Sequence, residues 1–182
     1  MRKIILSFVS FTFILNLNAQ QIFIGSAGTI AFTSDAPLEL IEASSNQLAG
    51  AINLNDRSFL FNIPMSSFEG FNSKLQQTHF NENYLETHKF QKATFEGKII
   101  EEYDFSKPGT YDVRGKGIFS VHGVEESRII RCTMIVNANS IEINSEFTVL
   151  LEDHNIDIPS VVNQKIAEEI EVTINISLKP KK

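Results

Sequence analysis

The side chains of this sequence that could do chemistry are four histidines, one cysteine and one acidic-histidine cluster. His79, His88, His122 and His154 are scattered, and no HxH or HExxH pair sets two imidazoles on one face for zinc. His79 and Glu82 stand three apart on a helical stretch, a spacing that suits a shared metal ion but equally describes a solvated helix surface. Cys132 sits within the apolar run 129–135, where an inert buried thiol is the ordinary case; a nucleophilic thiol would need a base, and no neighbour is one. Because it is the single cysteine, no internal disulfide can form and the fold must rest on its core. Asp153-His154-Asn155 can be pictured as a catalytic fragment, but its partners would have to converge from distant loops. No Gly-x-Ser-x-Gly elbow, phosphate-binding glycine loop or dinucleotide fingerprint occurs. The residues therefore offer no catalytic set, no metal site and no cofactor site, and the chain reads as a non-enzyme.

What the sequence does offer is apolar surface. Twelve phenylalanines follow residue 19, with no tryptophan, and several lie on strand-like segments. Period-two alternation dominates: Phe59, Phe61 and Ile63; Tyr111, Val113, Gly115, Gly117, Phe119 and Val121; Ile141, Ile143, Ser145, Phe147, Val149 and Leu151; Ile170, Val172, Ile174, Ile176 and Leu178. Such alternation predicts antiparallel strands with one apolar and one wet face. Further strands are predicted at 29–33, 38–43, 47–55, 93–102 and 127–136, separated by turn signals such as Asp35-Ala36-Pro37, Lys107-Pro108-Gly109 and His122-Gly123. Asn137-Ala138-Asn139 reads as a tight hairpin. Eight or nine strands in one all-β domain mean a sandwich or a barrel. Residues 72–89 break the alternation: Asn72 or Ser73 can cap a short helix that carries Leu75, Phe80, Tyr84 and Leu85 on one side. A second turn of helix is expected near 159–167, after Pro159.

The inner face can be a filled core or a cavity. Gly97, Gly115 and Gly117 share parity with Phe95, Ile99 and Phe119, and either open space on that face or mark bends of a curled sheet. If they open space, Gly117→Leu should block a ligand while the chain still folds.

Arg2-Lys3, the apolar stretch 4–15 and Ala19 in front of Gln20-Gln21 have the pattern of a secretory signal peptide at 1–19, too short to span a bilayer. The mature chain, 20–182, is expected to be soluble and periplasmic or secreted, with no stable membrane insertion. Cleavage would shift the net charge from −6 to −8, a balance that argues against nucleic acid and anionic membrane surfaces as partners.

The stretch His79-Phe80-Asn81-Glu82-Asn83-Tyr84-Leu85-Glu86-Thr87-His88-Lys89-Phe90-Gln91-Lys92-Ala93-Thr94-Phe95-Glu96-Gly97-Lys98-Ile99 resembles the central signature of the YceI-like family, which are polyisoprenoid-binding, lipocalin-like proteins. Gly117-Ile118-Phe119-Ser120-Val121-His122-Gly123-Val124 resembles the family's Gly-x-Leu-x-Ile-x-Gly-Val hairpin, and Gly28-Thr29-Ile30-Ala31-Phe32 and the closing strand fit too. Gln91 stands where the family has proline, and 153–167 departs from the usual aromatic-Gly ending. The resemblance implies an antiparallel, lipocalin-like β-barrel of about eight strands with one or two short helices. It further implies a lumen for a long apolar ligand: an isoprenoid, quinone or fatty-acid-like chain. Phe61, Phe80, Leu85, Phe95, Gly97, Gly117, Phe119 and Phe147 are the residues expected to line it. The alternative is a ligand-free periplasmic interaction or stress-response module acting through loops 66–90 and 152–168. The oligomeric state is left open, a homodimer included.

Overall fold

The computed structural model describes residues 22–181; the signal peptide expected at 1–19, with its cleavage after Ala19, lies outside them. Eight antiparallel strands follow one another around a closed barrel: β1 (Ile22–Ala36), β2 (Glu39–Asn53), β3 (Ser58–Pro64), β4 (Lys92–Ile99), β5 (Gly109–Val121), β6 (Val124–Val136), β7 (Ile141–Leu150) and β8 (Glu169–Pro180). Each strand pairs with its sequence neighbour, and β8 returns to β1. Closure gives every strand a partner on both sides, although β6 and β7 pair over only part of their length.

The alternating apolar residues turn inward as their period dictates. Val113, Met134, Ile141, Ile143, Ile176 and Leu178 are among the most deeply buried side chains. Outward positions carry Arg114, Lys116, Glu142, Glu146 and Glu171. This polarity is the reverse of that in a membrane-spanning barrel, which is apolar outside. Among the described residues no helix is long and apolar enough to cross a membrane.

The structure corrects several boundaries. Residues 38–43 and 47–55 are one strand, β2, not two. The polar Ser44-Ser45 in its middle does not break it, because Ser45 turns inward and its hydroxyl shares a 2.7 Å hydrogen bond with Ser67 Oγ, which itself donates to the Pro64 carbonyl at 2.6 Å. β1 and β2 change the phase of their alternation where their pairing slips, between Gly25 and Gly28 and again before Ile30. In the slip Thr29 Oγ1 donates to Asn46 Oδ1 at 3.0 Å and the Gln47 amide donates to Ser45 Oγ at 3.2 Å. β4 stops at Ile99 rather than 102, because the Glu101 carboxylate accepts both the Arg114 backbone N–H and its guanidinium at 2.7 Å.

One helix interrupts the meander, within the β3–β4 connection. Ser73 caps α1 (Lys74–His79) by accepting the Gln76 amide at 3.1 Å. The helix then widens into a π turn, Phe80–Tyr84, closed by the Leu85 amide on the Phe80 carbonyl at 2.9 Å. The second expected helix, at 159–167, reduces to a single 3-10 turn, Ser160–Val162. His122 and Gly123 join β5 to β6 in a two-residue turn with both φ positive, 51° and 75°, the geometry that suits the strand twist.

Gly97 and Gly117 are paired residues on β4 and β5, and they do not open space on the inner face. A Cβ on Gly97 would strike the Lys116 carbonyl oxygen, and one on Gly117 would strike that of Glu96. The two backbones approach so closely that only hydrogens fit between them, which lets the sheet coil sharply enough to close. The expectation that Gly117→Leu would fold and merely fill a void is therefore corrected. Gly117→Ala and Gly97→Ala should each destabilise the chain by about 3 kcal/mol in urea unfolding, the cost of forcing volume into a packed site. Gly109→Ala, whose Cβ would meet nothing nearer than the Tyr111 ring at 3.5 Å, should stay within about 0.5 kcal/mol of wild type.

Candidate ligand-binding lumen

Inside the barrel lies a cavity of about 490 Å³, lined almost wholly by apolar side chains. Its walls include Val113 to Val121 on β5 and Ile41 to Ile52 on β2, so it runs along most of the barrel. Eight residue steps at about 3.4 Å, tilted by about 40°, make it about 20 Å long. That volume lies within the range of small-molecule sites.

Of the eight residues expected to line a lumen, the structure places Phe61, Phe80, Leu85, Phe95, Phe119 and Phe147 on the cavity wall. Gly97 and Gly117 are not on it, for the backbone reason given above. Gly115 is, with the Phe59 ring packed 3.0 Å from where its Cβ would stand. The rings form two groups. Phe59, Phe61, Phe95, Phe119 and Phe147 run as a chain of tilted and edge-on contacts, 4.9–6.2 Å between centroids, across β3, β4, β5 and β7. Phe80 stacks on Phe32 at 5.5 Å and touches Phe68 and Phe71, joining the π turn to β1. Phe32, Phe68 and Phe71 escaped the sequence reading. Phe32 shares inward parity with Ile30 and could have been found, but the other two lie in an irregular loop with no period to betray them.

The two ends of the cavity differ. At the end of the barrel where β4 leads to β5, Phe105, Tyr103 and Tyr111 pack ring on ring, 5.3–6.1 Å apart, and Phe105 is buried, though none of the three lines the cavity itself. At the other, the wall is completed by Glu39 beside the β1–β2 turn, by Leu75, Gln76 and His79 of α1, and by Val162, Lys165 and Ile166 before β8. This end carries the polar groups. Gln76 Nε2 donates to Glu39 Oε1 at 3.0 Å, and the Leu38 amide donates to the Gln164 carbonyl at 2.9 Å. His79 is thus a residue of the cavity mouth. Among the described residues no three of histidine, cysteine, aspartate or glutamate converge as metal ligands would.

Cys132 also faces the cavity. Burial, helped by the carboxylates of Glu101 and Asp112, pushes its thiol up to about 11, which keeps it protonated and poorly nucleophilic.

The Asp153-His154-Asn155 cluster is not a catalytic arrangement. His154 is wholly buried, edge-on to Phe119 at 5.4 Å, and neither ring nitrogen has a hydrogen-bond partner. It fills the wedge left where β6 and β7 part, since these strands pair only at Thr133–Val136 against Ile141–Asn144. Beyond that, side chains span the gap: Ser145 Oγ donates to the Arg131 carbonyl at 2.7 Å and Arg128 Nη2 to the Thr148 carbonyl at 2.8 Å. The His154 carbonyl accepts from His122 Nδ1 at 3.0 Å, while His122 Nε2 meets Glu86 Oε2 at 3.1 Å. One imidazole so ties three connections together, and the hydrogen bond with it holds the Glu86 carboxyl below its ordinary range.

An eight-stranded up-and-down barrel with an elongated apolar cavity is the lipocalin-like class of protein. The chain belongs to the YceI-like family, whose domain description matches residues 23–178. Its fold is shared by a polyisoprenoid-binding domain from Saccharophagus degradans implicated in plant cell wall breakdown, at 14% identity and a TM-score of 0.72, over 89% of this chain and 99% of that one. BcnA of Burkholderia cenocepacia is similar at 13% identity and a TM-score of 0.66, over 83% and 95% of the two chains. The YceI protein of Campylobacter jejuni matches at 13% identity and a TM-score of 0.57, over the whole of both. No curated protein sequence matches the chain significantly.

Burial depresses the basicity of His154, so its folded-state pKa lies below the unfolded value of 6.5. Its contribution is present above that value and is lost as the pH falls below it. Glu86, also depressed, adds a loss that sets in below its ordinary 4.5. Urea midpoints of wild type should therefore fall between pH 7 and 5, and His154→Leu should flatten this part of the profile while leaving the Glu86 part intact.

Proposed function

We propose that the protein binds a long apolar molecule in this lumen, outside the cytoplasm, as a carrier or buffer and not as an enzyme. The observation that carries the reading is the continuous apolar cavity, whose polar lining gathers mainly at one end, around Glu39, Gln76, His79 and Lys165. An extended chain would lie along the phenylalanine walls by dispersion and burial, about 0.8 kcal/mol for each CH₂ removed from water. The few polar groups at the mouth would hold a head group. An isoprenoid, a quinone tail or a fatty-acid-like chain has this shape. A polyisoprenoid-binding domain of the same fold supports the isoprenoid class. The signal-peptide pattern at 1–19 supports export, and the acidic balance of the chain supports solubility of the loaded carrier.

Native mass spectrometry of the mature protein should show an added mass that organic solvent extracts as lipid. Val172 and Val149 face the cavity from the adjacent strands β8 and β7, where Val172 pairs with Phe147 and Val149 with Ile170. Val172→Trp with Val149→Trp should retain the β-sheet circular dichroism and lose the added mass. A wild type that never carries or takes up lipid, and whose melting temperature falls steeply with the same substitutions, would instead describe a packed barrel working through its loops.

A further inference from the structure

Three connections border the cavity mouth, and each projects an aliphatic side chain away from the barrel. Leu38 in the β1–β2 turn is 66% exposed, Leu75 on α1 is 64% exposed and Val161 in the turn before β8 is 85% exposed. The three segments are held side by side: the Leu38 amide bonds the Gln164 carbonyl, Gln76 bonds Glu39, and Asn72 Nδ2 donates to the Leu40 carbonyl at 2.8 Å. Leu75, Val162 and Ile166 of these same segments also line the cavity, so the exposed tips continue its apolar wall outward.

Charge sets this rim apart from the rest of the molecule. The chain carries 22 acidic residues, yet 70–81 and 158–167 contain none and hold Lys74 and Lys165. Asp35 and Glu39 flank the third segment, where Gln76 donates to Glu39, so the two lysines and two carboxylates of the rim balance, with acidic residues resuming at 69, 82, 157 and 168. An anionic bilayer repels the acidic body of this protein more than its charge-balanced rim.

We infer that the mouth docks transiently on a phospholipid bilayer through Leu38, Leu75 and Val161, so that an apolar chain passes between bilayer and lumen without crossing water. The inference rests on the lumen as the place of the ligand. A ring of single aliphatic tips around an opening fits an interfacial layer of mobile lipid, where each tip inserts on its own. A protein partner would be met by one contiguous patch.

The test uses the mature chain, phosphatidylcholine vesicles with and without phosphatidylglycerol, and anthracene-labelled stearate. Leu38 and Val161 do not line the cavity, so L38E/V161E leaves the lumen wall unchanged. Wild type should co-sediment with the vesicles and draw the probe from them. L38E/V161E should lose association and transfer rate by about ten-fold or more. Its uptake of the same probe from dilute aqueous solution should be unchanged. Wild type that ignores both kinds of vesicle, or a variant that transfers as fast as wild type, overturns the docking face while leaving the lumen reading intact. Self-association through these tips, abolished in the variant and without vesicle binding, also overturns it and makes the rim a protein interface. Vesicle association lost in the variant, with no probe taken up by either chain, upholds docking and overturns the lumen.

Discussion

Closing eight strands into a small barrel requires the sheet to coil hard, and a ring in which every strand pairs with both neighbours, β6 and β7 over one end only, leaves it little room to relax. The coil is made where backbones can approach beyond the reach of a Cβ. Gly97 against Gly117 is one such place; Gly25 and Gly28 on β1, where the Ser177 carbonyl oxygen and Ile176 Cβ lie 2.6 Å from where a Cβ would stand, are another. With curvature taken up at those points, the interior between them is left as a long space that the inward side chains line without filling. The cavity is thus a product of the way the barrel closes.

The two ends of that space are built by different means. Beyond one end, aromatic rings from a loop and a strand, Tyr103, Phe105 and Tyr111, pack on one another, with Tyr111 Oη donating to the Lys107 carbonyl at 2.8 Å. The other is held by small polar clasps between segments far apart in sequence, with Leu38 on Gln164 and His122 between Glu86 and His154. Clasps of this kind, partly exposed to water, are worth far less than buried packing and open more readily. The rigid end and the adaptable end are therefore set by chemistry and not by the strands, which run the same way through both.

Much of this was legible in the chain itself. Strict alternation, as in 170–178, identifies an inward face with no ambiguity, so Phe61, Phe95, Phe119 and Phe147 could be read as lumen residues from parity. Phe80 and Leu85 came from the family signature. The slip between β1 and β2 was invisible because it arises from pairing, and no local pattern records where a partner strand must shift. Parity placed Gly97 and Gly117 on the inner face but said nothing of how near the opposing backbone lies, which is a property of the coil. The mouth was hidden for a similar reason: residues 38, 75 and 161 have nothing in common until three connections meet. His154 looked like chemistry because its neighbours are polar in sequence, whereas in space it is a wedge under β6 and β7.

The return of β8 to β1 has a consequence for how the molecule comes to exist. Ile24 pairs with Lys179 and Thr33 with Glu171, so the first and last described strands meet across nearly all of the described residues. Hairpins between neighbours can form early and locally, but the ring is completed only when the final strand is available, and contacts of such long sequence separation are slow to find. Until then β1 presents an unpaired edge and the apolar inner face stands open to water. Pairing of β8 with β1 is thus the event that converts an aggregation-prone curled sheet into a closed barrel, and any factor that escorts this chain must hold it until then.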